Sequence, residues 1–160
     1  KVEKSLLDEM LSAANLAPSW KNSQTPRFYV ATGEKSKNAV REALPEFNRK
    51  NSENASAYIV TTVVLNRSGF DKDGTAVTEI GNGWGYYDLG LNNMALLLKA
   101  TELGISTLVM GIRDGEKLRK EFDIPETEAV VSVIAVGYTD SEIVRPKRKS
   151  VEDFTKFYED

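Results

Sequence analysis

From Tyr86 to Leu103 the chain carries Leu89, Leu91, Met94, Ala95, Leu96, Leu97, Leu98, Ala100 and Leu103 at nearly every helical angle, closed by Gly104 as a C-terminal cap. A helix that is apolar almost all round needs cover on every side. A chain of 160 residues makes one domain with one core. That core covers such a helix poorly, whereas a second copy of the chain covers it well. The helix therefore predicts a homodimer, with Leu91, Met94 or Leu98 buried against the partner, because a monomer would expose a larger apolar patch than soluble proteins tolerate.

The other elements follow from period and punctuation. Leu6, Leu7, Met10, Leu11 and Ala14 recur at helical spacing over Ser5 to Leu16, with Ser5 and Asp8 in capping-box positions and Pro18 beyond the end. Arg27 to Thr32 reads as a strand, and Ser36 to Leu44 as a helix that buries Ala39, Val40, Ala43 and Leu44 and is halted by Pro45. Asn48 to Asn54 reads as a polar connection. Tyr58 to Leu65 is dense in β-branched residues and reads as a strand. Ser106 to Met110 is a short strand, Glu116 to Phe122 a short helix introduced by Asp114, and Ala129 to Tyr138 a near-continuous apolar strand buried on both faces. Strands and helices mix without strict alternation, which predicts an α+β fold: a central mixed sheet with helices on both faces, in a single domain over 1–160.

Composition removes much chemistry. The chain has no histidine and no cysteine, which excludes Ser-His-Asp and Cys-His catalysis, thiol redox chemistry, disulfides and the usual zinc sites. Carboxylate chemistry remains open, although many of the 24 acidic residues fall in helical surface patterns such as Glu116 to Glu121. An enzyme of this composition relies on a cofactor. The net charge of −3 with dispersed lysines argues against nucleic acid, and no apolar run reaches the length of a membrane span. The expectation is a soluble, cytoplasmic protein without nucleic-acid or membrane partners.

Three segments carry candidate chemistry. Ala17 to Phe28 ends a helix in Ser19, Asn22, Ser23 and Gln24, neutral donors and acceptors suited to the edge of a flat heterocycle, or simply an ordinary polar turn. Asn66 to Gly85 gathers five glycines with Phe70 and Trp84 and reads as a lid or as a flexible surface excursion. Its Gly81-Asn-Gly-Trp-Gly85 cluster is too weak to be a dinucleotide fingerprint. After Pro146, Lys147, Arg148 and Lys149 form either a phosphate clamp or a solvated charge run.

Taken in order, the turn at 17–28, the apolar helix from Asp88 to Gly104, the Leu108-Val-Met-Gly-Ile112 segment and the basic run before Val151-Glu-Asp153 resemble the nitroreductase family of flavoproteins. The resemblance implies an intertwined homodimer with two flavin mononucleotide (FMN) sites at the interface, each built from both subunits. It implies that Ser19, Trp20, Asn22 and Gln24 approach the flavin, that Val109, Met110 and Gly111 lie along its ring, and that Lys147, Arg148 and Lys149 meet its phosphate. No side chain is expected to be catalytic, and no metal is expected. Two departures stand out: the family's opening Arg-Arg-Ser-x-Arg stretch is missing from this sequence, and its Gln-Pro-Trp is replaced by Gln24-Thr25-Pro26-Arg27.

The activity implied is an FMN-dependent oxidoreductase that takes hydride from NADH or NADPH and reduces a nitroaromatic or quinone-like acceptor by a ping-pong route. The rivals are a non-catalytic flavin- or nucleotide-binding module of the same fold, and a branch of the family that performs reductive dehalogenation or flavin breakdown.

Overall fold

The computed structural model describes residues 1–142 and 144–159. Among them the sheet has four strands, β1 (Pro26–Ala31), β2 (Ala57–Val64), β3 (Ser106–Met110) and β4 (Glu128–Gly137), in the order β1-β2-β4-β3. Every pairing is antiparallel, so the expectation of a mixed sheet is corrected. The reason lies in the link from β1 to β2, where two short helices, α2 (Glu34–Glu42) and α3 (Glu46–Asn51), replace one long crossover. The chain goes out and returns to the end where β1 stopped, pairing Ala31 with Tyr58.

The two central strands are apolar and β-branched because helices cover both sides. On one face Val40, Ala43 and Leu44 from α2 and the turn after it, and Leu118 from α5 (Gly115–Glu121), pack on Tyr58, Val60, Met110 and Val133. On the other, Leu7, Met10 and Ala14 of α1 (Lys4–Asn15) and Leu96 and Ala100 of α4 (Gly83–Glu102) pack on Ile59, Ile134 and Val136. A bulge between Thr61 and Thr62 shifts the β2–β4 register, where Thr61 faces Ser132 and Thr62 faces Val130.

Several local expectations change. The polar connection at Asn48–Asn54 is largely α3, since Pro45 stands at its N-cap and a six-residue helix carries too little periodicity to show in sequence. No capping box opens α1: its N-cap is Glu3 without a side-chain bond, and Asp8 pairs with Lys4 at 2.6 Å. Helix α2 begins at Glu34, two residues before Ser36. Asp114 does cap α5, accepting from the Lys117 N–H at 3.0 Å. Gly104, at φ 70, closes α4, and the N–H of Ile105 donates to Ala100 at 2.8 Å.

The orientation of α4 inverts what its composition suggests. Two of its polar residues, Asp88 and Asn92, are buried beside Leu89 and Leu96, whereas Tyr87, Met94 and Leu98 are 60%, 51% and 58% exposed. In one copy of the chain, then, an apolar stripe of α4 faces outward while two polar side chains face in. None of the described helices is long and apolar enough to cross a membrane.

Candidate functional site

The polar turn is held in a costly backbone. Trp20–Asn22 form a single 3-10 turn after α1. Lys21, Asn22 and Gln24 have φ values of 45, 55 and 48. Left-handed backbone costs an L-residue about 1–2 kcal/mol, less for asparagine, and persists only where neighbours over-determine it. The neighbours are on hand. Ser19 Oγ accepts from the Gln24 N–H at 3.0 Å, and the Ser23 N–H donates to the Trp20 carbonyl at 2.8 Å. The Trp20 N–H donates to both carboxylate oxygens of Asp88, at 3.2 and 3.1 Å. The Ser23 hydroxyl lies 2.6 Å from Ser68 Oγ, and Ser68 in turn donates to Asp88.

What the turn displays is unspent hydrogen-bonding capacity. Among the described residues the side-chain amides of Asn22 and Gln24 bond to nothing, and both residues are exposed. Trp20 Nε1 is buried and also lacks an acceptor there. Beside the turn opens a cleft of about 190 Å³, lined by Leu11, Asn15, Ala17, Ser19, Gln24, Pro26, Arg27, Phe28 and Asn92. Arg27 brings the positive charge, its guanidinium donating to the Gln24 and Pro26 carbonyls at 2.7 and 2.8 Å.

The loop from residue 66 to residue 82 is a fastened structure. Asn66 and Asn82 join its ends through the Asn66 N–H (2.6 Å) and the Asn82 amide (3.0 Å). Trp84 lies in the first turn of α4 rather than in the loop, donates to Thr78 Oγ1 at 2.8 Å, and packs against Trp20 with ring centroids 4.8 Å apart. An exposed ion pair, Lys21 to Asp71 at 3.3 Å, ties the loop to the turn. Ser68 and Gly69 are buried against the turn and Trp84, while residues 71–77 of the loop are exposed.

Of the other expected residues, Val109 and Met110 stand apart from the turn. Val109 and Met110 are on β3, the far edge strand, with β2 and β4 between them and β1. Val109, in register with Ile134, Ile59 and Val30, belongs to the α1/α4 face and is 48% exposed. Met110 shares a register row with Val133, Val60 and Tyr29, and its side chain is buried in the core on the opposite face, so only its backbone is open to a ligand. Gly111 and the neighbouring Ile112 are exposed. Lys147, Arg148 and Lys149 are exposed on the C-terminal stretch and make no ion pair among the described residues; Arg148 donates only to the Pro146 carbonyl, at 3.3 Å.

The donors fit a flavin in kind: neutral amides and a buried indole N–H for a polar ring edge, and a cationic run for a phosphate. The cleft beside the turn is smaller than the roughly 300–1,000 Å³ of pockets that enclose a drug-sized ligand, and Val109 stands two strands away from the strand that follows the turn. Sequence reasoning missed Asp88, Ser68, Asn92 and Arg27. The available signal was an acid and an amide four residues apart, Asp88 and Asn92, in the largely apolar part of the helix.

The family model described as "Nitroreductase family" matches residues 1–138. No curated protein matches the sequence. Among solved structures, a nitroreductase family protein from Streptococcus pneumoniae TIGR4 is 21% identical, with 98% of this chain and 90% of that one covered at a TM-score of 0.82. An enone reductase of gut-bacterial fatty acid saturation metabolism is 21% identical, with 98% and 88% covered at a TM-score of 0.84. An oxidoreductase containing FMN is 25% identical, with 88% and 69% covered at a TM-score of 0.75.

Proposed function

The chain belongs to the nitroreductase family, and from that premise we propose that it is an FMN-dependent oxidoreductase using NADH or NADPH to reduce nitroaromatic or quinone-like acceptors. The observation that carries the reading is the strained turn at Trp20–Gln24, which spends backbone energy to present Asn22 and Gln24 with side-chain amides that have no partner among the described residues. Bound FMN supplies the hydride chemistry, which accounts for an enzyme without histidine or cysteine.

The protein's own part is binding, orientation and exclusion of water. Ser19, Trp20, Asn22 and Gln24 hold the ring edge, Val109 and the Met110–Gly111 backbone lie along the ring, and Lys147, Arg148 and Lys149 hold the phosphate. The site is shared between two copies, because the turn and the edge strand are on opposite sides of one sheet. The outward stripe of Tyr87, Met94 and Leu98 on α4 is the surface they share. A face of the ring left open by these residues serves donor and acceptor in turn. Steady-state kinetics with NADH or NADPH and a quinone then give parallel double-reciprocal lines. Intersecting lines overturn the shared-face mechanism, and reduction of the bound flavin by NADH or NADPH without turnover of any quinone or nitro compound favours the binding-module reading.

A further inference from the structure

We propose that Asp88 is a positioning residue that staples the strained turn from two sides. Resting on the reading of that turn as the flavin-holding segment, the inference adds a role for a helix residue that stands behind it. Asp88 is 2% exposed and has no cationic partner among the described residues. A carboxylate out of water without a counter-charge is retained only where hydrogen bonds repay it. Here they come from the turn itself. Trp20, the residue just before the left-handed stretch, donates its N–H directly to Asp88.

The far side of the stretch is tied to the same carboxylate through Ser68. A carboxylate only accepts, so the single Ser68 hydroxyl proton goes to Asp88. Ser68 Oγ is left as an acceptor for the hydroxyls of Ser23, at 2.6 Å, and Thr25, at 3.2 Å. Residues 20, 23 and 25 thus converge on one buried oxygen pair, and the left-handed Lys21, Asn22 and Gln24 are the residues between these anchors. Ser68 lies in the loop of residues 66–82, so the same bond also docks the loop on the turn. Charge-assisted bonds in a dry site reinforce one another along such a chain.

The test compares Asp88→Ala, Asp88→Asn and Ser68→Ala with the unmodified protein. Asp88→Ala should weaken FMN by about ten- to a hundredfold, the worth of a lost hydrogen bond to a charged group, and should speed amide exchange at Trp20 in the ligand-free protein. Asp88→Asn keeps an oxygen for the Trp20 N–H, but its amide donates to Ser68, whose own proton must then turn to Ser23 or Thr25, and the charge is lost; FMN affinity should fall, by less than in Asp88→Ala. Ser68→Ala should give an intermediate loss and decides the matter if Asp88→Ala does not fold. Unchanged FMN affinity in both alanine variants, with only the melting temperature lowered, overturns the proposal in favour of a purely structural acid. If the unmodified protein takes up no FMN, the flavin reading falls by itself; exchange at Trp20 still decides the staple, and unaltered protection in Asp88→Ala refutes it.

Discussion

Replacing Gly69 by alanine should unfasten the loop beside the turn, and Gly74 supplies the control. The two glycines have nearly the same backbone, φ 85 and φ 83. A Cβ at Gly74 meets nothing within 4 Å, whereas at Gly69 it falls 2.6 Å from the Gly81 carbonyl oxygen and 2.7 Å from Trp84 Cδ1. Both variants pay about 1–2 kcal/mol for alanine in left-handed backbone, offset by roughly 0.4–1 kcal/mol from a stiffer unfolded chain. Gly74→Ala should therefore cost about 1 kcal/mol. Gly69→Ala adds a clash with backbone that cannot swing away, about 1–3 kcal/mol more, for a total of about 2–4 kcal/mol. Urea unfolding followed by circular dichroism measures both. Tryptophan fluorescence adds a local readout, since both tryptophans of the chain, Trp20 and Trp84, are in this cluster; only Gly69→Ala should alter it. Equal stabilities for the two variants would refute the close packing of loop on helix.

Arg148→Ala should weaken FMN about ten- to a hundredfold while leaving riboflavin, which lacks the phosphate, nearly unaffected; an unchanged FMN-to-riboflavin ratio, even with Lys147 and Lys149 also replaced, reduces the basic run to surface charge. Leu98→Glu, placed on the outward stripe of α4, should dissociate the dimer, because an obligate interface of about 2,000 Å² does not accept a buried unpaired charge. Sedimentation at micromolar concentration tests this, and a well-folded monomer in the unmodified protein contradicts the dimer. Tyr29 donates to the buried Glu128 at 3.0 Å. Burial first, then the bond to Glu128, pushes its hydroxyl up from 10.0 to about 12. A raised folded-state value means that the stabilisation is complete below pH 10 and is lost as pH rises from 10 towards 12. Denaturant midpoints should fall more steeply over that window for the unmodified protein than for Tyr29→Phe; identical slopes refute the assignment.

The strands were legible to within a residue or so because β-branched and apolar runs such as Tyr58–Leu65 and Ala129–Tyr138 are buried on both sides, and burial writes itself into composition. Strand direction was not legible, since a helix between two strands leaves open whether the chain crosses over or turns back. Helix α3 was hidden by its length of six residues. Of the candidate site, the turn announced itself through Ser19, Asn22 and Gln24. Its strain did not, because Lys21 and Gln24 are unusual left-handed residues held there by tertiary bonds. Asp88 was hidden for the same reason: in sequence it reads as an interruption of an apolar helix, and its partners Trp20 and Ser68 are 68 and 20 residues away. Met110 illustrates the limit of carrying a segment over whole, because strand alternation turns its side chain into the core while Val109 faces out.

The most direct test of the account is whether the protein holds FMN. Purified protein, and protein stripped of small molecules and titrated with FMN, should be yellow, should retain the flavin through gel filtration, and should lose tryptophan fluorescence as FMN binds beside Trp20. A colourless protein that takes up no added FMN, its fluorescence unchanged, would contradict the flavin site at the Trp20–Gln24 turn and the oxidoreductase function drawn from it.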